Sequence, residues 1–236
     1  MRILSLDTSA DVGGAALVDP ETGLVGEVII SVRGRKKTFS EHLMPAINFL
    51  LESVGCSIGD VGAFALTVGP GSFTGLRVGL STIKGLAFAT GKPVVALPTF
   101  DVLSYNHRYC AYPVCAILDA RKGEVYANVF QWHDDHLCTL VDVGVYEINE
   151  LLENLAPGKI LFTGGAVASC GDIIRTRLGD SAILTQDVSA INVGLLALER
   201  LKTGDICRIE ELSPIYLKKS QAEQQYGCSN PPDDRR

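Results

Sequence analysis

The sequence is poorest in the features that membrane, secreted and metal-binding proteins rely on. No window approaches the roughly 18 uninterrupted apolar residues of a membrane helix, and the opening Met1-Arg-Ile-Leu-Ser-Leu-Asp7 meets charge too soon for a secretory leader. Cysteine pairs are missing. The seven cysteines, at 56, 110, 115, 138, 170, 207 and 228, are scattered, odd in number and never spaced Cys-x-x-Cys. Reduced thiols in a cytoplasmic protein fit that pattern better than a disulfide framework or a zinc site. Histidine is scarce as well, at four residues, with no His-x-x-x-His. His133-Asp-Asp-His136 reads as a polar hairpin tip, so no metal site is expected there. Positive charge is outnumbered: 21 Lys and Arg against 27 Asp and Glu give a net charge of −6, which argues against unaided nucleic-acid binding. The cluster Arg33-Gly-Arg-Lys-Lys37 reads as a solvated loop. Trp132, Phe130 and Tyr126 alternate along one strand, as cross-strand packing requires, and form no basic-aromatic platform for RNA.

What is present centres on Gly69-Pro-Gly-Ser-Phe-Thr-Gly-Leu-Arg-Val-Gly79. An apolar run, Ala63 to Val68, precedes it and reads as a buried strand. A helical segment follows from Gly75 to Thr90, with Leu76, Leu80, Ile83, Leu86 and Ala87 at helical spacing. Strand, glycine loop and helix start would aim backbone N–H groups at one spot, where a phosphate or carboxylate could sit. The same residues equally describe a tight turn packed on its surroundings. No Gly-Lys-Ser/Thr closes the loop, and three residues rather than two separate Gly71 from Gly75, so neither the P-loop nor the dinucleotide fingerprint applies. Ser72 is not in a Gly-x-Ser-x-Gly elbow, and no histidine and acid offer themselves as its triad partners.

The order of elements repeats. Strands at 3–7, 13–18 and 25–32 lead to a helix capped by Ser40 and stopped by Gly55, then to strand 63–68, the glycine loop and its helix. After strand 94–97 and a short helix at 100–106, the pattern restarts with strands at 114–119, 124–132 and 137–144. A helix at 148–155, a strand at 159–163 and a helix from Gly164-Gly165 to about Leu178 follow, then a short strand at 183–185 and a helix at 190–201. Each half reads β-β-β-α-β-α, and each first strand ends in an aspartate, Asp7 and Asp119. Duplication into two lobes around a cleft follows. The division expected is an N-terminal lobe at 1–98, a C-terminal lobe at 99–210, and a segment at 211–236 that returns to the body before a polar, disordered tail from Gln221.

That α/β topology, two βββαβα lobes, resembles the actin-like ATPase (ASKHA) superfamily. The resemblance implies that Asp7, Asp119, Gly164 and Gly165 face a nucleotide in the cleft. Its phosphate loops usually continue Asp-x-Gly, whereas this chain has Asp7-Thr-Ser9 and Asp119-Ala-Arg121. An ATP-binding kinase or ATPase acting in the cleft is therefore the alternative reading, not the leading one.

Five segments carry a sharper resemblance: Ile3-Leu-Ser-Leu-Asp-Thr-Ser9, Ser40-Glu-His-Leu-Met-Pro45, the block Gly69 to Arg77, Asp119-Ala-Arg121 and Pro214-Ile-Tyr-Leu-Lys218. Together they resemble the TsaB (YeaZ) family, over nearly the whole chain to about Lys218. The resemblance implies a non-catalytic scaffold that binds TsaD and, with the P-loop ATPase TsaE, supports transfer of a threonylcarbamoyl group to the adenosine beside the anticodon of tRNA. It implies a homodimer in isolation, tRNA met only through the complex, no cofactor required by this chain alone, and ATP or ADP allowed at the partner interface. A glycoprotease, an older reading of the family, lacks a metal site or nucleophile here. The partner surface expected from the two helices that follow Ser40 and Ser72 comprises His42, Leu43, Met44, Phe73, Thr74, Leu76 and Arg77. His42 and His107 are lone histidines, read as structural or interfacial. Surplus apolar residues beside an arginine suit an interface.

Overall fold

The computed structural model describes residues 1–34, 38–185 and 189–218. Part of the Arg33–Lys37 cluster and the tail from Gln221 lie outside the described residues. Strands β1 (Arg2–Asp7), β2 (Val12–Asp19) and β3 (Gly23–Ser31) form an antiparallel meander, followed by α1 (Phe39–Ser53), β4 (Val61–Gly69), α2 (Phe73–Thr90) and β5 (Val94–Pro98). After α3 (Thr99–Asn106) come β6 (Val114–Asp119), β7 (Glu124–His133), β8 (His136–Glu147), α4 (Ile148–Glu153), β9 (Ile160–Thr163), α5 (Val167–Leu178) and β10 (Ala182–Leu184), and then α6 (Ala190–Lys202).

The strands build two five-stranded sheets, in the orders β3-β2-β1-β4-β5 and β10-β9-β6-β7-β8. Reversing the second list superimposes the two. In each, the first strand pairs antiparallel with the second and parallel with the fourth. This is the duplicated arrangement of two βββαβα lobes that the sequence indicated. His133 and His136 pair across the tip of the β7–β8 hairpin, and among the described residues no group of three or more His, Cys, Asp or Glu could hold a metal.

Strand β1 shows why the first sheet sits at the centre of a lobe. Its residues alternate between two faces, and both faces are apolar. Leu4 and Leu6 join Leu43, Ile47, Leu80 and Ile83 of α1 and α2 in one core, while Ile3 joins Ala63, Ala65 and Val95 in another. A strand buried on both sides reads as a continuous apolar run, which is the parallel-sheet signature.

The second of these cores is closed by α6. Val193, Leu196 and Ala197 pack on Ile3, Val18 and Ala63, and Ser5 Oγ donates to the Ala190 carbonyl at 2.7 Å. Gly194 allows the close approach, since a Cβ there would lie 2.7 Å from Val18. The stretch 99–210, expected as the C-terminal lobe, therefore sends its last helix back to the first sheet. The apolar face of α6 finds its complement there, and the division at 98/99 does not separate the cores.

Two helix starts differ in detail from expectation. The first helix begins at Phe39 with Thr38 at its N-cap, and Ser40 instead shares a hydrogen bond with Thr38. The second begins at Phe73, because Ser72 Oγ accepts from Gly75 N at 3.3 Å and caps it two residues earlier than the glycine suggested.

Candidate functional site

A cleft of about 630 Å³ opens where the two sheets meet. Its wall includes Ser9, Ala10 and Asp11 after β1; the start of α2 with Ser72, Phe73, Thr74 and Arg77; the β6–β7 turn at Asp119–Lys122; and Tyr216 and Lys218 of the C-terminal segment.

The glycine block positions the second of these regions, and it does so by packing. A Cβ on Gly75 would stand 2.1 Å from the Thr8 carbonyl oxygen, and one on Gly79 would stand 2.4 Å from Thr8 Oγ1. Gly71 lies equally close to the Ser9 carbonyl, which accepts from Ser72 N at 2.7 Å. Gly69, at φ 116°, lets the Ile215 backbone approach, and Ile215 N donates to the Val68 carbonyl at 2.7 Å. Of the two readings open for this block, tight packing is the one its glycines serve. Helix α2 is thereby clamped to the end of β1 with its first turn at the cleft.

The two aspartates repeat one local geometry in opposite surroundings. Each accepts a backbone N–H from two residues on: Asp7 Oδ1 from Ser9 at 2.9 Å, Asp119 Oδ1 from Arg121 at 2.7 Å. Asp7 is buried and also accepts from Thr67 Oγ1 at 2.9 Å. Burial pushes its carboxyl above the ordinary range, and the hydrogen bonds from Ser9 and Thr67 only partly offset that. Asp119 is exposed in the cleft wall, 3.8 Å from Arg121 Nε. Gly165 also lines the cleft, and a Cβ on it would meet the Ala10 Cβ at 2.8 Å. Gly164 lies behind the wall, at φ 98°, against the Ile117 carbonyl. The expected nucleotide-facing set is thus corrected. Asp119 and Gly165 face the cleft; Asp7 and Gly164 do not, because hydrogen bonding and close packing turn them inward.

The residues expected on the partner surface also divide. Leu43 and Leu76 are 1% and 0% exposed and belong to the core, so they are removed from any exposed patch. They occupy the apolar stripes by which α1 and α2 rest on the sheet. His42 is half-buried with Nε2 enclosed. Met44, Thr74 and Arg77 are exposed and Phe73 is half-buried. The sequence reading missed Phe49 and Phe88, which are 63% and 85% exposed. Each stands one position off its helix's buried stripe, and that offset was the available signal.

Arg77 is held in place. Its guanidinium lies 3.9 Å from the Phe73 ring centroid, and Nε donates to the Tyr216 hydroxyl at 3.1 Å. Tyr216 in turn stacks on Phe73 with centroids 4.9 Å apart. Two residues on, Lys218 Nζ pairs with Glu124 and donates to the Ala120 carbonyl. The segment Pro214–Lys218 therefore straps one lobe to the other along the cleft.

Comparison with known proteins agrees with this geometry. The model of the TsaD family, described as tRNA N6-adenosine threonylcarbamoyltransferase, matches residues 31–225. The chain belongs to this family. Within it, the similarity is to TsaB (YeaZ) proteins. The chain is 28% identical over 232 residues to the tRNA threonylcarbamoyladenosine biosynthesis protein TsaB of Bacillus subtilis, covering 96% of this chain and 98% of that one. It is 26% identical over 233 residues to TsaB of Escherichia coli, covering 94% and 96%. The structure of YeaZ from Pseudomonas aeruginosa aligns with TM-score 0.71 at 26% identity, over 92% of this chain and 99% of that one. Among the described residues, no helix is long and apolar enough to cross a membrane.

Proposed function

We propose that the chain acts in tRNA threonylcarbamoyladenosine biosynthesis as a non-catalytic subunit that binds TsaD through the outer faces of α1 and α2. The observation that carries this reading is the placement of Met44, Phe49 and Phe88, large apolar side chains exposed on two helices that pack side by side. A helix covers its apolar residues in its own core wherever it can; three left outside on neighbouring helices suit a protein partner. Arg77, fixed at the end of the same surface, suits an interface anchor. In this reading TsaD carries out the transfer in the cytoplasm, TsaE joins the complex, and tRNA is met through the assembly. ATP or ADP would sit at the partner interface, and the free chain would pair with itself through the same faces. Binding acts by favouring the active state of TsaD.

The test is reconstitution of tRNA modification from purified TsaD and TsaE with pre-made threonylcarbamoyl-adenylate, with and without this chain. Modification should require it, and Phe49→Asp with Phe88→Asp should abolish TsaD binding while leaving the circular dichroism spectrum unchanged. Full modification without the chain, or undiminished binding by the double variant, would overturn the reading. The cleft supports a second reading, an ATP-binding enzyme. Asp7 turned inward and Ala10 pressed on Gly165 weigh against it, and calorimetry with ATP on the isolated chain decides it.

A further inference from the structure

Cations far apart in the sequence converge on the cleft: Arg77 from α2, Arg121 and Lys122 from the β6–β7 turn, and Lys218 from the strap. Two carboxylates, Asp11 and Asp119, share the wall. In a chain of net charge −6 this is a local reversal of sign. Lys218 is engaged by Glu124, and Arg121 stands near Asp119. The other two cations are not neutralised. Among the described residues Arg77 makes its ring contact and its hydrogen bond with the uncharged Phe73 and Tyr216, and neither it nor Lys122 has a carboxylate within ion-pair distance.

The turn that carries Lys122 is held in an unfavourable conformation. Arg121 and Lys122 have φ of 66° and 57°, left-handed values ahead of Gly123 at 81°. A side chain in that region is strained in a way that glycine avoids. Strain of this kind gathers where a side chain has a task at a binding surface. Here it sets Arg121 and Lys122 in the cleft wall, on the lobe opposite Arg77.

The wall's mixed sign selects among anions. A polyphosphate would bring dense negative charge against Asp11 and Asp119. A peptide brings carboxylates singly, with backbone N–H groups that those two aspartates can accept from. The Arg77 guanidinium, fixed by a ring stack and one hydrogen bond through Nε, keeps its outer nitrogens for the two-pronged contact a carboxylate makes. We propose that the mouth of the cleft binds an acidic peptide segment of a partner protein, with one carboxylate on Arg77 and another on Lys122. The two readings share Arg77 and are otherwise separate, because Met44, Phe49 and Phe88 are not in the cleft wall and Lys122 is not on those helices.

The experiment titrates the full chain into fluorescently labelled hexaglutamate, with hexaglutamine as control, and follows anisotropy at low and high salt. Saturable binding of hexaglutamate that weakens with salt, without binding of hexaglutamine, is expected. Arg77→Gln and Lys122→Gln should each weaken it about tenfold, and Lys122→Arg should restore it, with thermal midpoints confirming that the variants fold. Phe49→Asp with Phe88→Asp should leave hexaglutamate binding unchanged, so the two readings fail separately. No hexaglutamate binding, or binding indifferent to both cations, overturns the proposal. So does displacement of the peptide by pyrophosphate or ATP at concentrations below the peptide's own Kd, which would assign the site to a phosphate ligand.

Discussion

The two halves of the molecule share one topology and put it to different use. The first sheet is covered on both faces, by α1 and α2 on one side and α6 on the other. The second has α4 and α5 on one face, and on the other α3 packs near β6. Its edge strand β8 leaves Leu137, Leu140 and Val143 about half exposed. The aspartates follow suit: Asp7 is sealed in, and Asp119 is open. The same local hydrogen bond recurs in both turns, and a further partner, Thr67, ties the buried Asp7 into the structure while Asp119 is left at the surface.

The comparison can be broken most severely at the paired glycines. Gly75→Ala drives a methyl into the Thr8 carbonyl, backbone against backbone, and should cost about 3 kcal/mol or more of stability. Gly165→Ala meets only a side-chain methyl at 2.8 Å and should cost about 1–2 kcal/mol. Urea midpoints measure both, and equal losses would erase the distinction between a clamped lobe and a merely touching one.

The aspartates sharpen it next, through pH. Because burial raises the Asp7 carboxyl above its ordinary 3.8, the folded chain holds that proton more tightly than the unfolded chain. Asp7's contribution is therefore most favourable below that ordinary value. It is lost as pH rises through the folded value and is a constant penalty above it. Asp7→Asn keeps an acceptor for Ser9 and Thr67 and carries no charge, so its stability should fall less than the parent's as pH is raised from the acid range to neutrality. Asp119→Asn at neutral pH should change stability by no more than about 0.5 kcal/mol. A steeper fall for Asp7→Asn than for the parent would contradict the assignment of Asp7 as a buried carboxyl.

The smallest effect is expected at the turn beside Asp119. Lys122→Gly relieves a left-handed lysine and should stabilise the chain by about 1 kcal/mol, while removing a cation from the cleft. A gain in thermal midpoint accompanied by loss of hexaglutamate binding would show that the strain is retained for recognition. Lost stability would show that Lys122 makes a contact of its own.

How much of this was legible in the sequence depended on distance along the chain. Strand and helix order, the duplication and the aspartate ending each first strand could be read directly, since apolar periodicity and turn residues are local. The inward turn of Asp7 could not, because it rests on Thr67, sixty residues away. Leu43 and Leu76 were assigned to a surface although their spacing fits the core stripe equally well; only the sheet beneath them settles which face they take. The segment Pro214–Lys218 stood out as a motif, yet its work as a strap needs Phe73, Arg77 and Glu124 already assembled. The cleft's cations escaped the search for a basic surface for the same reason.

The return of α6 to the first sheet has a consequence for biogenesis. Ser5 finds its acceptor at Ala190, 185 positions later. When a ribosome has released only the first hundred residues, Ile3, Val18, Ala63 and Ala65 face water on the side that α6 will cover. The lobe synthesised first is thus the one completed last, and a nascent chain stalled before Ala190 carries an open apolar sheet for chaperones to shield.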